Sequence, residues 1–267
     1  MMKAGKRSLF PIYIGFVLTV MYIPIVLVIV YSFNQSRLSS VWSGFTLAWY
    51  AELFRDRAMF EGLRNSLVLG LLSSCLAAVL GTLGASGMSR LRSLSAPSGG
   101  IHGVMEYLSI LPIMIPEIIM GMIFLAFFSL LSLPAGLLTL VIAHTAFCVP
   151  YPYLLVRARL SGLDRSYVEA ARIMGAGELR AFYDITLPLM LPAVVSGMLI
   201  SFAMSFDDVI VSSFVAGVNT NTLPMIIYSR LKAGVTPKTN AMCTLIFVLT
   251  VVLCLSAAWL AMRRQKK

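Results

Sequence analysis

Charged side chains are scarce in this sequence, and their scarcity indicates the class of protein. Asp, Glu, Lys and Arg make up 12% of the 267 residues, whereas hydrophobic residues make up 59%. Soluble domains carry about 25% charged residues, so this composition excludes an ordinary soluble domain. The net charge of +10 does not indicate nucleic-acid binding, because the basic residues are scattered among apolar runs instead of lining one polar face. The sequence therefore indicates an integral membrane protein.

Cysteine and histidine are also rare, which argues against a metal site. The four cysteines lie within apolar segments and lack metal-type spacing: Cys75, Cys148, Cys243 and Cys254. We expect buried packing residues, since free cysteine behaves as a small hydrophobe. The two histidines, His102 and His144, are too widely separated for a metal site. His144 lies inside an apolar run, and we interpret it as a packed, hydrogen-bonded residue rather than a proton relay.

A phosphate-binding loop of the form GxxxxGK[ST] is missing from the sequence. Residues 81–88, GTLGASGM, contain glycines but no lysine. They lie in an apolar run, where close packing of helices is the simpler explanation. We therefore expect no ATP hydrolysis by this chain and no cofactor of its own.

Six apolar runs are long enough to cross the hydrocarbon core of a membrane. They cover approximately residues 10–33, 65–88, 106–131, 135–157, 187–215 and 240–262. The first run is too long for the apolar region of a signal peptide and lacks a small-x-small cleavage site, so we expect a retained helix. The predicted fold class is an all-α integral membrane protein with six transmembrane helices.

The distribution of Lys and Arg predicts the orientation of these helices. With the N-terminus inside, the cytoplasmic segments hold 14 of the 21 basic residues: Lys3, Lys6, Arg7, Arg90, Arg92, Arg157, Arg159, Arg165, Arg172, Arg180, Arg263, Arg264, Lys266 and Lys267. Three acids, Glu52, Asp56 and Glu61, offset part of the external basic charge. We therefore expect both termini to be cytoplasmic.

The first external loop, about residues 34–64, is too long to be a mere connector. It carries four aromatic residues: Trp42, Phe45, Trp49 and Tyr50. Aromatic residues at this depth fit an interfacial belt, and they fit a docking surface for an external partner equally well.

A second long loop, about residues 159–186, is expected to form a helical elbow beneath the bilayer. Ser166-Tyr-Val-Glu169 fits a capping box, which predicts a short helix from about Tyr167. Gly175 and Gly177 interrupt that helix, and residues 178–183 can form a second one. Small residues in the loop would let another protein approach the backbone closely. An amphipathic surface helix with a solvated charged face fits the same pattern.

This loop resembles the EAA loop in the membrane subunits of ATP-binding cassette (ABC) importers. The resemblance covers Glu169-Ala170-Ala171, Gly175, a hydrophobic stretch, Leu187-Pro188 and Pro192, in order and spacing over more than twenty residues. In that family the loop forms the coupling helix, which fits a cleft in the ATPase subunit. The resemblance implies ATPase coupling by Glu169, Ala170, Ala171, Gly175, Ala176, Leu187 and Pro188.

Further patches resemble the spermidine/putrescine permease subunits of PotC or PotI type. They are YSFNQSR and WSGFTLAWY in the first external loop, AHTAFCVPY in the fourth span, and SFDDVIVSSFVAG and TLPMIIYS in and after the fifth. The resemblance implies an ABC type-1 (MetI-like) transmembrane domain at residues 61–258, with the coupling loop at 159–187. Residues 1–60 would hold the first helix and external loop, and residues 259–267 a basic cytoplasmic tail.

The same resemblance implies a set of partners. We expect an ABC ATPase dimer that binds the ATP and Mg, a second homologous permease subunit, and an extracellular or periplasmic substrate-binding protein. The substrate would be a polyamine, spermidine or putrescine. The chain would be a multi-pass protein of the cytoplasmic (inner) membrane, without nucleic-acid partners.

Four acids lie within the predicted spans; Glu106 is near the cytoplasmic end of its helix, and the other three are embedded more deeply: Glu117, Asp207 and Asp208. A carboxylate at bilayer depth costs at least about 2.5 to 3.5 kcal/mol, so it faces a partner, a cavity or a pathway. On one continuous helix, Asp208 shares a polar stripe with Ser201, Ser205 and Ser212. Asp207 is rotated from it by about 100°. We therefore expect Asp208 to line the substrate pathway and Asp207 to be a second contact.

Glu117 has a different setting, because it follows Pro112 and Pro116. Two prolines remove backbone donors and distort a helix, and a broken helix beside an acid is a common design of substrate sites in membrane proteins. By resemblance, the polyamine permeases carry an aspartate at this position. The extra methylene group of Glu117 would place its charge about one bond further from the backbone.

Two other classes compete with the permease interpretation. A proton-coupled secondary transporter would use the buried acids as a proton relay, but six spans are few for that task and the EAA loop would have no purpose. A noncatalytic membrane scaffold would leave the buried acids unexplained. Within the permease class, another cationic substrate is an alternative to polyamines, whereas acidic pathway residues argue against an anion.

Overall fold

The computed structural model describes residues 10–36, 41–94, 100–164 and 166–265. These residues form thirteen α-helices and one π-helical turn, Phe182–Thr186. The α-helices are α1 (Phe10–Tyr31), α2 (Ala48–Leu53), α3 (Arg57–Leu94), α4 (Gly100–Met114), α5 (Glu117–Leu130), α6 (Leu137–Cys148), α7 (Pro150–Ser161), α8 (Ser166–Ile173), α9 (Glu178–Ala181), α10 (Leu187–Asp207), α11 (Ile210–Val215), α12 (Leu223–Ala233) and α13 (Pro237–Gln265). Lys3, Lys6, Arg7, Arg165, Lys266 and Lys267 lie outside the described residues.

Four described helical segments are long and apolar enough to cross a membrane. They are Tyr13–Tyr31, Arg57–Ser89, Leu137–Ser161 and Glu178–Asp207. A fifth candidate span is a bent pair, Gly103–Met114 with Glu117–Leu130, and Pro237–Val252 is a shorter apolar helix. The predicted all-helical membrane fold is confirmed by this pattern.

The predicted distortion at the two prolines of the third span is confirmed. α4 ends at Met114, α5 begins at Glu117, and the two helices meet at 107°. Pro112 is accommodated inside α4, whereas Pro116 takes an extended conformation, with φ −55° and ψ 135°, at the N-terminus of α5. The break therefore lies at Pro116.

The prediction of one continuous helix over residues 187–215 is wrong. α10 ends at Asp207, Asp208 is extended with φ −67° and ψ 130°, and α11 begins at Ile210. The Asp208 carboxylate accepts the backbone N–H groups of Val211 at 3.1 Å and Ser212 at 2.7 Å. An aspartate side chain that takes backbone donors in this way competes with helical hydrogen bonding, which explains the break.

The helices form two compact units, which we call the terminal unit (Met1–Met59 with Ile227–Lys267) and the central unit (Phe60–Ile226). Within the central unit, α7 packs against α10 through very close backbone contacts at Pro152. A Cβ added to Gly197 would lie 2.5 Å from Pro152 Cα, and one added to Gly81 would lie 2.8 Å from the Tyr153 backbone nitrogen. Gly81 of the GTLGASGM run thus lies at a close contact between helices, as expected for that run.

In the terminal unit, the loop between α1 and α2 is held by aromatic and polar side chains. The Trp49 indole N–H donates to the Asn34 carbonyl at 2.7 Å, and the Tyr50 hydroxyl is 2.7 Å from Ser32 Oγ. The rings of Phe33 and Phe45 stack with centroids 5.2 Å apart. Aromatic residues here therefore shape the loop, a role beyond the two interpretations drawn from the sequence.

An ion cluster in the same unit joins α12 and α13 to the turn before α3. The Asp56 carboxylate accepts hydrogen bonds from the Arg230 guanidinium at 2.8 Å and from the backbone N–H of Met59 at 3.2 Å. It also lies 3.2 Å from Lys238 Nζ. Burial raises the pKa of Asp56, but the donors Lys238, Met59 and Arg230 outweigh it and leave the pKa below its usual value.

This cluster predicts a pH-dependent contribution to stability. Because the folded-state pKa of Asp56 is depressed, its stabilisation is present above the unfolded-state pKa of about 3.9 and is lost as pH falls through the folded-state value. We expect Asp56→Asn to lower the melting temperature of the detergent-solubilised protein at pH 7, and the difference from wild type to shrink below about pH 4. If the difference in melting temperature stayed constant over this pH range, the stabilising role of the ionised Asp56 carboxylate would be contradicted.

The expectation of buried cysteines is met in part. Cys148 is buried and Cys243 is half-buried, but Cys75 is exposed on α3. Leu76, the next residue of this apolar helix, is exposed as well. The side chain of Cys254 is not among those described.

Candidate functional site

A pocket in the central unit lies beside both helix breaks. Its polar groups are the carboxylates of Glu117 and Asp208 and the phenol of Tyr151. The rest of the lining is apolar: Pro112, Ile113, Ile115, Met120, Phe147, Met204 and Val211. The empty volume is about 450 Å³, part of it open to solvent. Two acids, a phenol and apolar walls suit a ligand with positive charge and apolar segments.

The break at Pro116 gives Glu117 its position. Glu117 is the first residue of α5, where the unpaired N–H groups of a helix N-terminus favour a negative side chain. Its side chain is exposed at the pocket, and α5 packs against α11, which follows the other break. Gly121 permits this packing, since a Cβ there would lie 2.4 Å from the Phe214 ring. The fold thus brings two predicted pathway acids, 91 positions apart in the sequence, to one pocket.

Asp208 and Asp207 are separated by the second break. Asp208 is 8% exposed and lines the pocket, with both carboxylate oxygens bound to backbone N–H groups of α11. Asp207 is the last residue of α10 and is exposed. Asp208 was predicted to line the substrate pathway, and of the two aspartates it is the one that lines the pocket. The two side chains differ in placement because the helix breaks between them, not because of a rotation of about 100° along one helix.

The four residues of the predicted polar stripe are all buried, but the three serines form hydrogen bonds between helices and do not line the pocket. Ser201 Oγ donates to the Cys148 carbonyl at 3.2 Å, and Ser205 Oγ lies 2.8 Å from Nδ1 of His144. Ser212 Oγ lies 3.0 Å from Nε2 of the same histidine. The serines therefore join α10 and α11 to α6, and Asp208 is the stripe residue that lines the pocket.

His144 is the centre of this buried set, as the interpretation of a hydrogen-bonded histidine predicts. The side chain is fully buried, and Nε2 is also 3.5 Å from Oδ2 of Asp208. Ser73 on α3 donates to Ser205 Oγ at 2.9 Å, which extends the network to a fourth element. The Ser73 contact was not predicted, because a serine in an apolar run gives no sequence signal for a partner 132 residues away.

The short helix predicted from about Tyr167 in the elbow is confirmed as α8. α8 starts at Ser166, and the Asp164 carboxylate, rather than the Ser166 hydroxyl, accepts an N–H at the helix start at 2.9 Å. These bonds from the backbone and side chain of Ser166 hold the pKa of Asp164 below its usual value. Gly175 has φ +87°, a conformation that favours glycine, and it ends the helix.

The predicted coupling residues divide by exposure. Glu169, Ala170, Gly175 and Pro188 are exposed, and Ala176 and Leu187 are half-buried. Ala171 is 4% exposed, and its small side chain packs inside the elbow, so its part in ATPase coupling stays a prediction. Beside them the elbow exposes large apolar side chains that the sequence reading did not single out: Tyr167, Ile173, Met174, Leu179 and Tyr183.

These observations define the class of protein. The chain is a multi-pass membrane protein whose helices break beside an acidic pocket, which is the architecture of a membrane permease. It belongs to the family of binding-protein-dependent transport system inner membrane components, whose model matches residues 77–265.

Two curated relatives are similar over most of their length. The chain is 36% identical to the putrescine transport system permease protein PotI of Escherichia coli (strain K12), covering 93% of this chain and 89% of the relative. It is 40% identical to the spermidine/putrescine transport system permease protein PotC of Haemophilus influenzae, covering 87% and 88%. The resemblance to polyamine permeases is confirmed by these identities.

Solved structures support the same fold. A bacterial ABC transporter involved in the import of the acidic polysaccharide alginate matches with a TM-score of 0.70 at 16% identity, over 96% of this chain and 99% of that chain. The MetNI methionine ABC transporter matches with a TM-score of 0.57 at 18% identity, over 76% and 95%. The predicted type-1 ABC permease fold is thereby confirmed.

Proposed function

We propose that this chain is a membrane subunit of an ATP-driven importer that moves polyamines, spermidine or putrescine, across the cytoplasmic membrane. The single observation that carries the proposal is the pocket in which Glu117 and Asp208 face the same space between apolar walls. The similarity to PotI and PotC supports polyamines over other cations.

The chemistry of a polyamine matches this pocket. A polyamine carries two or more ammonium groups joined by apolar methylene chains, so it requires separate carboxylates with apolar surface between them. Tyr151 and Phe147 add aromatic faces, and a cation over such a face gains about 0.5 to 2 kcal/mol. Glu117 and Asp208 would each take one ammonium group, while Asp207, which is exposed at the end of α10, would be a secondary contact.

The elbow is the proposed docking segment for a separate ATPase dimer, which would bind ATP and Mg. Its exposed apolar residues support this role, since such a cluster at the surface marks an interaction site. Glu169, Ala170, Gly175 and Pro188 are the exposed coupling residues, while Ala171 supports the elbow from inside. A second permease subunit and an external binding protein would complete the importer.

Reconstituted transport tests the proposal directly. We expect the chain to co-purify with an ATPase, and vesicles containing the complex to take up labelled spermidine or putrescine when ATP is supplied to the ATPase side. Vesicles that carry a proton gradient without ATP are the control. Uptake in that control would contradict the proposal and favour a proton-coupled transporter.

Replacing Glu169 by alanine is expected to separate ATP hydrolysis from transport. Glu169 is exposed on α8, and an interface hydrogen bond to a charged group is worth about 1.5 to 3 kcal/mol. We expect ATP-dependent uptake to fall by about tenfold or more while the transporter's ATPase activity persists. Asp184→Ala is the matched control, since Asp184 has an exposed ion pair with Arg180 that contributes little. Equal losses in both variants would contradict a specific role for Glu169.

A further inference from the structure

We propose that His144 is a positioning residue that holds the Asp208 carboxylate in the orientation required to bind an ammonium group, an assignment that rests on the proposed function. His144 is fully buried and does not line the pocket, so it acts on the substrate through Asp208. Among the described residues it is the side chain that links the pocket acid to α6.

The position of the ring proton follows from the groups around the ring. Both oxygens of Asp208 accept backbone N–H groups from α11, and Oδ2 also faces Nε2 of His144 at 3.5 Å. A carboxylate only accepts hydrogen bonds, so we assign the proton to the ring nitrogen that faces it. Nε2–H therefore lies between Ser212 Oγ, at 3.0 Å, and Asp208 Oδ2.

The opposite side of the ring fixes this tautomer. With the proton on Nε2, Nδ1 is an acceptor, and the Ser205 hydroxyl donates to it across 2.8 Å. Ser205 Oγ also lies 2.9 Å from Ser73 Oγ, whose hydroxyl is 2.7 Å from the Leu69 carbonyl. These contacts connect α3, α10 and α6 to the break at Asp208. Such a network holds a histidine in one tautomer and one orientation.

The arrangement explains why Asp208 can serve two purposes. Its two backbone contacts, one on each oxygen, hold it at the start of α11. The Nε2 side of the His144 ring approaches Oδ2 from α6 and adds a third contact that supports this orientation. Phe147, which lines the pocket, packs on the imidazole with ring centroids 4.9 Å apart and restricts the ring as well.

Two substitutions of His144 separate positioning from packing. The amide nitrogen of glutamine reaches the place of Nε2, whereas the asparagine amide reaches the place of Nδ1. We expect His144→Asn to raise the KM for ATP-dependent uptake of labelled spermidine by about tenfold, since the donor that faces Asp208 is lost, and His144→Gln to retain a KM within about threefold of wild type. The neighbouring Thr145→Val, whose buried hydroxyl has no hydrogen-bond partner among the described residues, should leave KM unchanged.

A serine pair keeps the proposal testable if a His144 variant fails to fold. Ser205 and Ser201 are both buried on α10 and both bind α6, but Ser205 bonds the His144 ring whereas Ser201 bonds the Cys148 carbonyl. Ser205→Ala is expected to raise the KM for spermidine by about three- to tenfold, and Ser201→Ala to leave it unchanged. An unchanged KM in Ser205→Ala, or equal effects of His144→Asn and His144→Gln, would overturn the positioning role.

Asp208→Asn is measured in the same vesicles. Normal spermidine uptake by that variant would refute the proposed function itself. If uptake falls in Asp208→Asn while the His144 and Ser205 variants keep the wild-type KM, the proposed function stands and the positioning role fails.

Discussion

Replacing Asp208 by asparagine is expected to cut ATP-dependent spermidine uptake by about tenfold or more while the transporter still assembles. The variant removes the negative charge from the pocket, and a hydrogen bond to a charged group is worth about 1.5 to 3 kcal/mol, or roughly 10- to 150-fold. Asparagine keeps one side-chain oxygen that can accept from Val211 or Ser212, so α11 retains part of its cap. Uptake kinetics in vesicles, with the amount of assembled complex measured in parallel, provide the test.

Asp207→Asn is the matched control for that experiment. It makes the same chemical change one residue earlier, at an exposed position at the end of α10. We expect uptake by Asp207→Asn to stay within about threefold of wild type, because contacts of solvent-exposed charges contribute little free energy. If Asp207→Asn lost as much uptake as Asp208→Asn, the pocket would not be the place where the cation binds.

The substitution of Gly197 by alanine is expected to have the largest effect on folding. The new Cβ would lie 2.5 Å from Pro152 Cα, and a backbone atom cannot move aside as a flexible side chain can. Overpacking of a tight contact costs about 1 to 3 kcal/mol or more. We expect a lower yield of folded protein in detergent and a lower melting temperature, measured by a thermal shift of the purified chain.

Gly87→Ala on α3 separates overpacking from the general effect of the glycine-to-alanine change. No described atom lies within 4 Å of a Cβ at Gly87, and alanine stabilises a helix interior by up to about 1 kcal/mol relative to glycine. The melting temperature of this variant should stay the same or rise. A similar fall in both variants would show that the contact at Pro152 is not the cause.

The sequence predicts the break at Pro116 but not the break at Asp208. Proline lacks the N–H that a helix requires, so its effect is local and readable from the chain. Asp208 breaks its helix because its carboxylate takes the N–H groups of Val211 and Ser212, and the same residue in a different rotamer would allow the helix to continue. One neighbour of that carboxylate is His144, 3.5 Å away, which comes from another part of the chain and which the local sequence does not show.

The short helix of the elbow could also be predicted from local residue types, but the exposure of its side chains could not. The order of Glu169, Ala170 and Ala171 indicates a short helix with small side chains. Which of the two alanines faces outward depends on how α8 packs against α9 and the π turn, and that packing buries Ala171. The pocket required the same kind of long-range information, since Tyr151 joins Glu117 and Asp208 through the fold alone.

The π-helical turn Phe182–Thr186 joins α9 to α10 without an interruption of the helical backbone. A π turn takes one residue more than an α turn, so it acts as a one-residue insertion tolerated within a helix. Deleting one residue from this turn would restore α geometry with little change in phase, whereas winding all five residues as α-helix would rotate the elbow by about 100° about the helix axis relative to the span that follows. The five residues therefore set the rotational phase between the surface segment and the helix that ends at the pocket.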